Sequence, residues 1–396
     1  MNLPNAVLGD CQGESTIPPW GSELEGVRLI VDARKVHDGG IGRYIQNLLD
    51  GLDAFTAANL TVLCFPRDEL FFQGRYGERV RTISLEARLY SLREIFGMRR
   101  VLPWRSYDLV HFPHFTLPLG IPVPSVVTIH DLIQISHPEK WYYPYIGRFY
   151  IRNALKRGAA IVAVSQQTAG QLAGFDRKGR VINVIPNSVG RPNEGHDRLR
   201  RAMMGVEPGY FLGVLSNSKP HKGLDRLMEA FRIFSTHFVE ARSMLLPACG
   251  LILIGKGAPK TSFSGGMGMG SVPEDELEWY YANARGIIVA SDVEGFCLPV
   301  IEGRRFGIPA VVTPIPAVRE ILSAYDVVAN DFTSASLAWA MFNLLQLPRP
   351  HLSAMQADLE RFDLQRTTYQ IVQMYDAVLK TAGGSRRGAH LTKMAL

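Results

Sequence analysis

Short apolar runs separated by helical stretches recur along most of the chain. Val27-Arg-Leu-Ile-Val31 reads as a buried strand and Tyr44 to Leu52 as an amphipathic helix. Further strand-like runs lie at Leu60-Thr-Val-Leu-Cys64, Leu109-Val-His111, Ser125-Val-Val-Thr-Ile129, Ala160-Ile-Val-Ala-Val164 and Val181-Ile-Asn-Val-Ile185. Helices are expected between several of them, over Gly147 to Arg157 and Gln166 to Leu172. The segment Arg191 to Gly209, rich in Gly, Pro and Arg, reads as a linker.

The pattern then restarts. Tyr210-Phe-Leu-Gly-Val-Leu215 and Gly250-Leu-Ile-Leu-Ile254 read as strands, Leu224 to Phe234 and Glu274 to Ala284 as helices. Lys260 to Ser271, rich in Gly, Ser and Met, reads as a mobile loop. Gly286-Ile-Ile-Val-Ala290 and Ile308-Pro-Ala-Val-Val312 flank a turn and a short helix, and Leu352 to Leu379 is helical. Such alternation implies parallel sheets covered by helices, one α/β plan used twice. A chain of 396 residues is comfortable for two domains.

Composition narrows the function classes. Hydrophobic residues make up 46% and charged residues 20%, an ordinary soluble balance. Lys and Arg outnumber Asp and Glu by 43 to 37, a net +6 that favours anionic ligands or membrane surfaces only weakly. No basic block resembles a nucleic-acid tract, so no nucleic-acid partner is expected. Cys11, Cys64, Cys249 and Cys297 are too scattered for a Cys-x-x-Cys site or a disulfide framework. With no leader-like start and no apolar stretch long enough for a bilayer, a cytoplasmic protein is expected.

The chemistry-bearing segments follow the strands. Glu294-Gly-Phe-Cys-Leu-Pro-Val-Ile-Glu302 places two carboxylates around a turn at a strand's carboxyl end, where open α/β sheets bind ligands. A helix starting at Leu298-Pro299 would aim its first amides at an anion. Asp32-Ala-Arg-Lys-Val-His-Asp-Gly39-Gly40-Ile-Gly42-Arg43-Tyr44 is glycine-rich, but Ile45 stands where a dehydrogenase fingerprint needs its third glycine. His130-Asp131 follows an apolar strand; the histidine can contact a sugar or simply cap a turn. His111 and His114 can line the same cleft or pack. Asn217-Ser-Lys219-Pro-His221-Lys222-Gly223 opens a helix, and its Lys222 can hold a diphosphate or sit solvated.

Together these segments resemble the retaining family 4 glycosyltransferases of the GT-B type. Glu294 to Glu302, continued by Gly307-Ile-Pro309-Ala-Val-Val, resembles that family's Glu-x7-Glu signature and following strand. Gly39-Gly-Ile-Gly-Arg-Tyr44, Thr128-Ile-His-Asp131, Val164-Ser165, Ile185-Pro-Asn187 and Lys219-Pro-His-Lys222 support it. The resemblance implies two Rossmann-like domains facing across a cleft, over 27–195 and 205–350. It also leaves a flexible tail over 1–26, a C-terminal helix over 351–380 crossing back to the first domain, and a frayed tail over 381–396. Glu302 would bind the donor ribose. Glu294 would sit by the donor sugar, with Gly295, Phe296, Cys297 and Leu298 around sugar and phosphate. Lys222 would neutralise the leaving diphosphate, Gly40 and Gly42 would let the first domain close over it, and His130 would contact the transferred sugar.

The resemblance further implies a nucleotide-sugar donor, GDP-mannose first, a glycan or lipid-linked acceptor, and no cofactor or metal. The chain contains no Asp-x-Asp triplet. Three departures stand out. Ser216 replaces the usual arginine six positions before Lys222, with Arg43 a candidate substitute; Cys297 replaces a glycine; Arg304 and Arg305 stand where small residues are usual. The alternatives are a catalytically silent nucleotide-sugar binder or another GT-B enzyme such as an epimerase. Trp141 to Arg157 mixes aromatics with cations, which suits either contact with an anionic membrane or a solvated basic helix face.

Overall fold

The computed structural model describes residues 19–176, 179–190, 209–236 and 249–393; the expected linker falls almost wholly outside them. In the first half, strands β1 (Arg28–Asp32), β2 (Asn59–Cys64), β3 (Val80–Ser84), β4 (Leu109–Phe112), β5 (Ser125–Ile129), β6 (Ala160–Ala163) and β7 (Ile182–Val184) form one sheet. Its order is β3-β2-β1-β4-β5-β6-β7, with every pair parallel. Strands β4, β5 and β6 are buried along their length, as helices on both faces require.

The second half contributes β8 (Tyr210–Val214), β9 (Gly250–Ile254), β10 (Ser262–Phe263), β11 (Gly266–Gly270), β12 (Gly286–Val289), β13 (Ala310–Val312) and β14 (Val327–Val328). Their order is β10-β11-β9-β8-β12-β13-β14, parallel except for the β10–β11 pair. The helices that place the site are α1 (Gly39–Phe55), α2 (Tyr143–Arg157), α3 (Gln166–Ala173), α4 (Leu224–Phe234), α5 (Glu274–Asn283), α6 (Leu298–Arg305), α7 (Ser334–Gln346) and α8 (Leu364–Lys393). Each sheet carries an apolar cluster on either face. The two halves are doubly wound α/β units of GT-B architecture.

Two strand orders reverse direction from a starting strand, between β1 and β4 and between β8 and β12. At such a reversal the flanking connections leave toward opposite faces and open a crevice at the strands' carboxyl ends. Those crevices receive the loops after β1 and β4 in one half, and after β8 and β12 in the other.

Several expectations need correction. The glycines at 39, 40 and 42 belong to the first turn of α1 rather than to a loop before it. The segment expected to be mobile holds β10 and β11: its glycines let the hairpin lie close against β9, and a Cβ on Gly266 would sit 2.4 Å from the Leu251 carbonyl oxygen. Strand β3 escaped notice because Val80-Arg-Thr-Ile-Ser84 sits at a sheet edge with only two apolar residues and no strict alternation. The tail expected over 1–26 is docked from Pro19 to Leu24 as a 3-10 helix, since Leu24 is fully buried and Glu23 accepts from Gln373 Nε2 at 2.8 Å. The C-terminal helical stretch breaks at Glu360–Phe362 and then runs to Lys393, each added residue gaining a backbone hydrogen bond where fraying was expected from 381. Helix α8 packs on α1, so the chain returns to its first half.

Candidate active site

The loop after β8 reaches the crevice as a short 3-10 turn, Pro220–Lys222, closed by Gly223 in the left-handed region at φ 67°. A side chain there would strike the Ala290 carbonyl oxygen at 2.1 Å, so glycine lets this loop lie against the end of β12. The His221 carbonyl accepts from Asp292 N at 2.8 Å and locks the two loops together. Lys222 Nζ consequently faces the Glu294 carboxylate, donating to Oε1 at 2.7 Å and Oε2 at 2.9 Å. Ser291 Oγ adds a bond to Oε1 at 2.7 Å. Burial opposes the charge on Lys222, but Glu294 overcomes it and holds the ammonium pKa above its ordinary value.

Glu302 lies on the second turn of α6. Tyr281 Oη donates to its Oε2 at 2.8 Å, while Arg43 Nε stands 3.5 Å from Oε1. Arg43 also pairs with Glu274. This guanidinium, a candidate substitute for the missing phosphate cation, is therefore engaged by two carboxylates of the other half. Its position on the second turn of α1 points it at α5 and α6 rather than at Lys222.

The segment between the two glutamates is tightly constrained. Gly295 lies on the backbone of the other half: a Cβ there would sit 1.9 Å from the His130 carbonyl oxygen. Phe296 turns its ring away and packs edge-on against Phe362 at 5.8 Å, so only its main chain can serve a donor. Cys297 caps α6 with φ 78°, a conformation that costs a side-chain-bearing residue about 1–2 kcal/mol and explains the glycine usual here. Burial pushes its thiol far above the ordinary range, so it stays protonated and unreactive at neutral pH. Leu298 touches the Gly40 position, with 3.7 Å to a Cβ there. Gly42 serves its own turn instead, because a Cβ would meet the Val36 carbonyl oxygen at 2.3 Å.

His130 ends β5, half-buried, its Nε2–H donating to the Pro113 carbonyl at 3.0 Å. That bond leaves Nδ1 as the acceptor nitrogen of the ring. Burial lowers its pKa to about 4, helped by the neighbouring charges of His114 and Lys35. The imidazole is neutral at physiological pH, fit to accept a hydroxyl proton but not to act as an acid. The edge of Tyr44 packs on it at 4.8 Å, and Tyr44 Oη pairs with Thr128 Oγ1 at 3.0 Å.

For His111 and His114 the packing alternative is the right one. His111 bridges Tyr375 Oη at 2.5 Å and Thr128 Oγ1 at 2.8 Å, tying α8 to the sheet. His114 Nε2 lies 3.2 Å from Asp32 in a buried cluster with Arg34 and Glu94. Burial penalises the Asp32 charge, yet Arg34 and His114 hold that carboxyl well below the usual range. The cluster fills the crevice between β1 and β4. Sequence reading missed it because Arg34 and Glu94 stand 60 residues apart.

Arg304 and Arg305 have structural employment. Arg304 is fully buried, with Nη2 2.7 Å from Asp326 and Nη1 2.7 Å from Asp358, anchoring α6 from behind. Arg305 reaches Glu278 at 3.7 Å. Ser216 meets α1: a Cβ on Gly39 would stand 3.1 Å from its own Cβ.

Comparison with known proteins bears on the class of the chain. Residues 38–190 match the model for Glycosyltransferase Family 4, and residues 209–347 the model for Glycosyl transferases group 1. The chain is a GT-B glycosyltransferase, one domain of that class in each half. It is similar to the O-antigen chain mannosyltransferase RfbU of Salmonella typhimurium, 24% identical over 263 residues covering 64% of this chain and 69% of that protein. It is also similar to the O-antigen chain mannosyltransferase B of Escherichia coli, 34% identical over 267 residues covering 61% and 65%. Its fold resembles that of Anabaena HepE solved with UDP and glucose, with a TM-score of 0.64, 15% identity, and coverage of 88% and 99%.

The depressed pKa values of buried His111 and half-buried His130 predict an acid sensitivity. The folded-state pKa of His130 is about 4 and that of His111 about 3, against 6.5 for an ordinary imidazole. Between those values the unfolded chain binds more protons, so stability falls as pH drops from 6.5 toward 4. Histidine ring signals followed by NMR should show both rings neutral at pH 5.5, and His130→Asn should make the decline of the denaturation midpoint shallower. Titration of either ring near 6.5 would contradict the assigned burial.

Proposed function

We propose that this chain is a retaining glycosyltransferase that transfers mannose from GDP-mannose to a glycan or lipid-linked acceptor in polysaccharide or glycoconjugate assembly. The observation that carries the reading is Lys222 paired with Glu294 at the β8/β12 crevice, with Glu302 on the helix that starts there. The mannosyl preference is supported by the two O-antigen mannosyltransferases among its relatives. A uridine donor is the competing choice, favoured by the UDP held in HepE.

In this reading Glu302, held by Tyr281, accepts from the ribose hydroxyls. Lys222 releases Glu294 and turns to the diphosphate, while Glu294 takes hydroxyls of the sugar. As the anomeric carbon–oxygen bond breaks, negative charge grows on the phosphate, and Lys222 with the first amides of α6 offsets it. The acceptor hydroxyl attacks from the face that the leaving group vacates, forming the new C1–O bond and passing its proton to a phosphate oxygen. Neutral His130 orients the sugar by accepting from a hydroxyl. No protein nucleophile and no metal enter this scheme. The silent-binder alternative differs in one respect: it binds the nucleotide sugar and releases no nucleotide.

Lys222→Ala is expected to lower kcat/KM for donor turnover by about 10²–10³-fold, the usual effect of removing a group that stabilises developing charge. Glu302→Ala should instead raise the donor KM, and Glu294→Gln should lower kcat, with circular dichroism unchanged in all three. Thermal shifts with GDP, UDP, ADP and their sugars should be largest for GDP-mannose. Wild-type-like turnover by folded Glu302→Ala protein would falsify the assignment.

We also propose that the enzyme works on the cytoplasmic side of a membrane, touching it through α2 and the turn that leads into it. Trp141, Tyr145 and Phe149, spaced by four, are 81%, 67% and 48% exposed, and Arg152, Lys156 and Arg157 follow them as exposed cations. Aromatic anchors beside cations suit an anionic bilayer surface. No helix among the described residues is long and apolar enough to cross a membrane. Co-sedimentation with phosphatidylglycerol liposomes should exceed that with phosphatidylcholine, and Trp141→Ala with Arg152→Ala should remove the difference. Equal binding to both vesicles would count against it.

A further inference from the structure

Ser216 leaves Lys222 as the cation expected at the diphosphate, yet the fold brings another lysine alongside Ser216. The loop after β9 reads Gly255-Lys256-Gly257, and both glycines are pressed onto the loop that carries Ser216. A Cβ on Gly255 would lie 2.2 Å from the Leu215 carbonyl oxygen, and one on Gly257 2.0 Å from that of Asn217. Gly255 also adopts φ 113°, open only to glycine, and Gly257 N donates to Leu215 O at 3.0 Å. These contacts fix Lys256 alongside Ser216.

The Lys256 side chain is exposed and reaches across to the first half, where Nζ donates to the His37 carbonyl at 3.0 Å. Among the described residues no carboxylate pairs with it. His37 precedes Asp38, the N-cap of α1, and Asp38 does not cap that helix with its side chain; it takes Lys35 Nζ at 3.0 Å instead. Gly39 then lies over Ser216. An ammonium without a carboxylate therefore meets the start of a 17-residue helix whose first amides lack a side-chain cap, directly above the position the arginine vacates. Two sources of positive potential converging on one point favour an anion there.

We infer that Lys256 is the second phosphate-binding cation of this chain, gripping a nucleoside diphosphate together with Lys222 and the N-terminal amides of α1. It replaces in space the arginine that Ser216 replaces in sequence. The inference rests on the nucleotide-sugar reading and adds to it the residue that completes the diphosphate site.

Isothermal titration of the full chain with GDP and UDP, and with guanosine and uridine, tests it. Lys256→Ala and Lys256→Gln should weaken binding of the preferred diphosphate by about tenfold or more, the scale of one charge-assisted hydrogen bond. Affinity for the matching nucleoside should stay within about twofold, and the salt dependence of diphosphate binding should fall by about one ion. Lys256→Arg should retain most of the diphosphate affinity. An unchanged ratio of diphosphate to nucleoside affinity in both neutral variants overturns the inference and leaves the nucleotide-sugar reading standing. Failure of the wild-type protein to bind any of these nucleotides overturns both.

Discussion

A parallel sheet that grows in both directions from an inner strand must open a crevice where the direction changes. This chain does so twice, and turns the two crevices toward each other. Everything in the site follows from that constraint. The loop after β8 carries Lys222 and the loop after β12 carries Glu294, so residues 72 positions apart meet at hydrogen-bond distance. Opposite them stand the start of α1 and the end of β5. Backbone meets backbone at Gly295 and the His130 carbonyl, an approach that a single methyl group would prevent.

The two crevices are filled differently. That of the second half is lined by the Lys222–Glu294 ion pair. That of the first half is closed by Asp32, Arg34, Glu94 and His114, fully buried and satisfied by one another. Breaking such a buried cluster by removing one partner costs about 3–5 kcal/mol, so it serves as scaffold. It also fixes the segment around Tyr90, whose φ of 65° is otherwise unfavourable. The wall built by that cluster is thus the fixed side of the cleft.

Much of this was legible in the residues. The apolar runs of β5 and β9 and the helix Leu224–Phe234 lie where the pattern puts them, because strands buried on both faces and an amphipathic helix carry strong periodic signals. Glu294, Glu302, Lys222 and His130 were marked by their places after strands. Arg43 was not readable, since only the packing of α1 against α5 and α6 shows which carboxylates engage it. Lys256 carried a faint signal, a lysine between two glycines after a strand, but its nearness to Ser216 depends on which strands are neighbours. Cys297 shows the converse: a glycine position is recognisable from sequence, while the strain of filling it is visible only as a backbone angle.

The central claim is that a nucleoside diphosphate occupies the β8/β12 crevice by taking Lys222 from Glu294. A crystal structure of the protein with bound GDP tests it most directly. The account predicts the ribose hydroxyls at Glu302, the diphosphate at Lys222, and a Lys222–Glu294 separation well beyond the present 2.7 Å. A nucleotide bound elsewhere, or one bound with that ion pair intact, would contradict it.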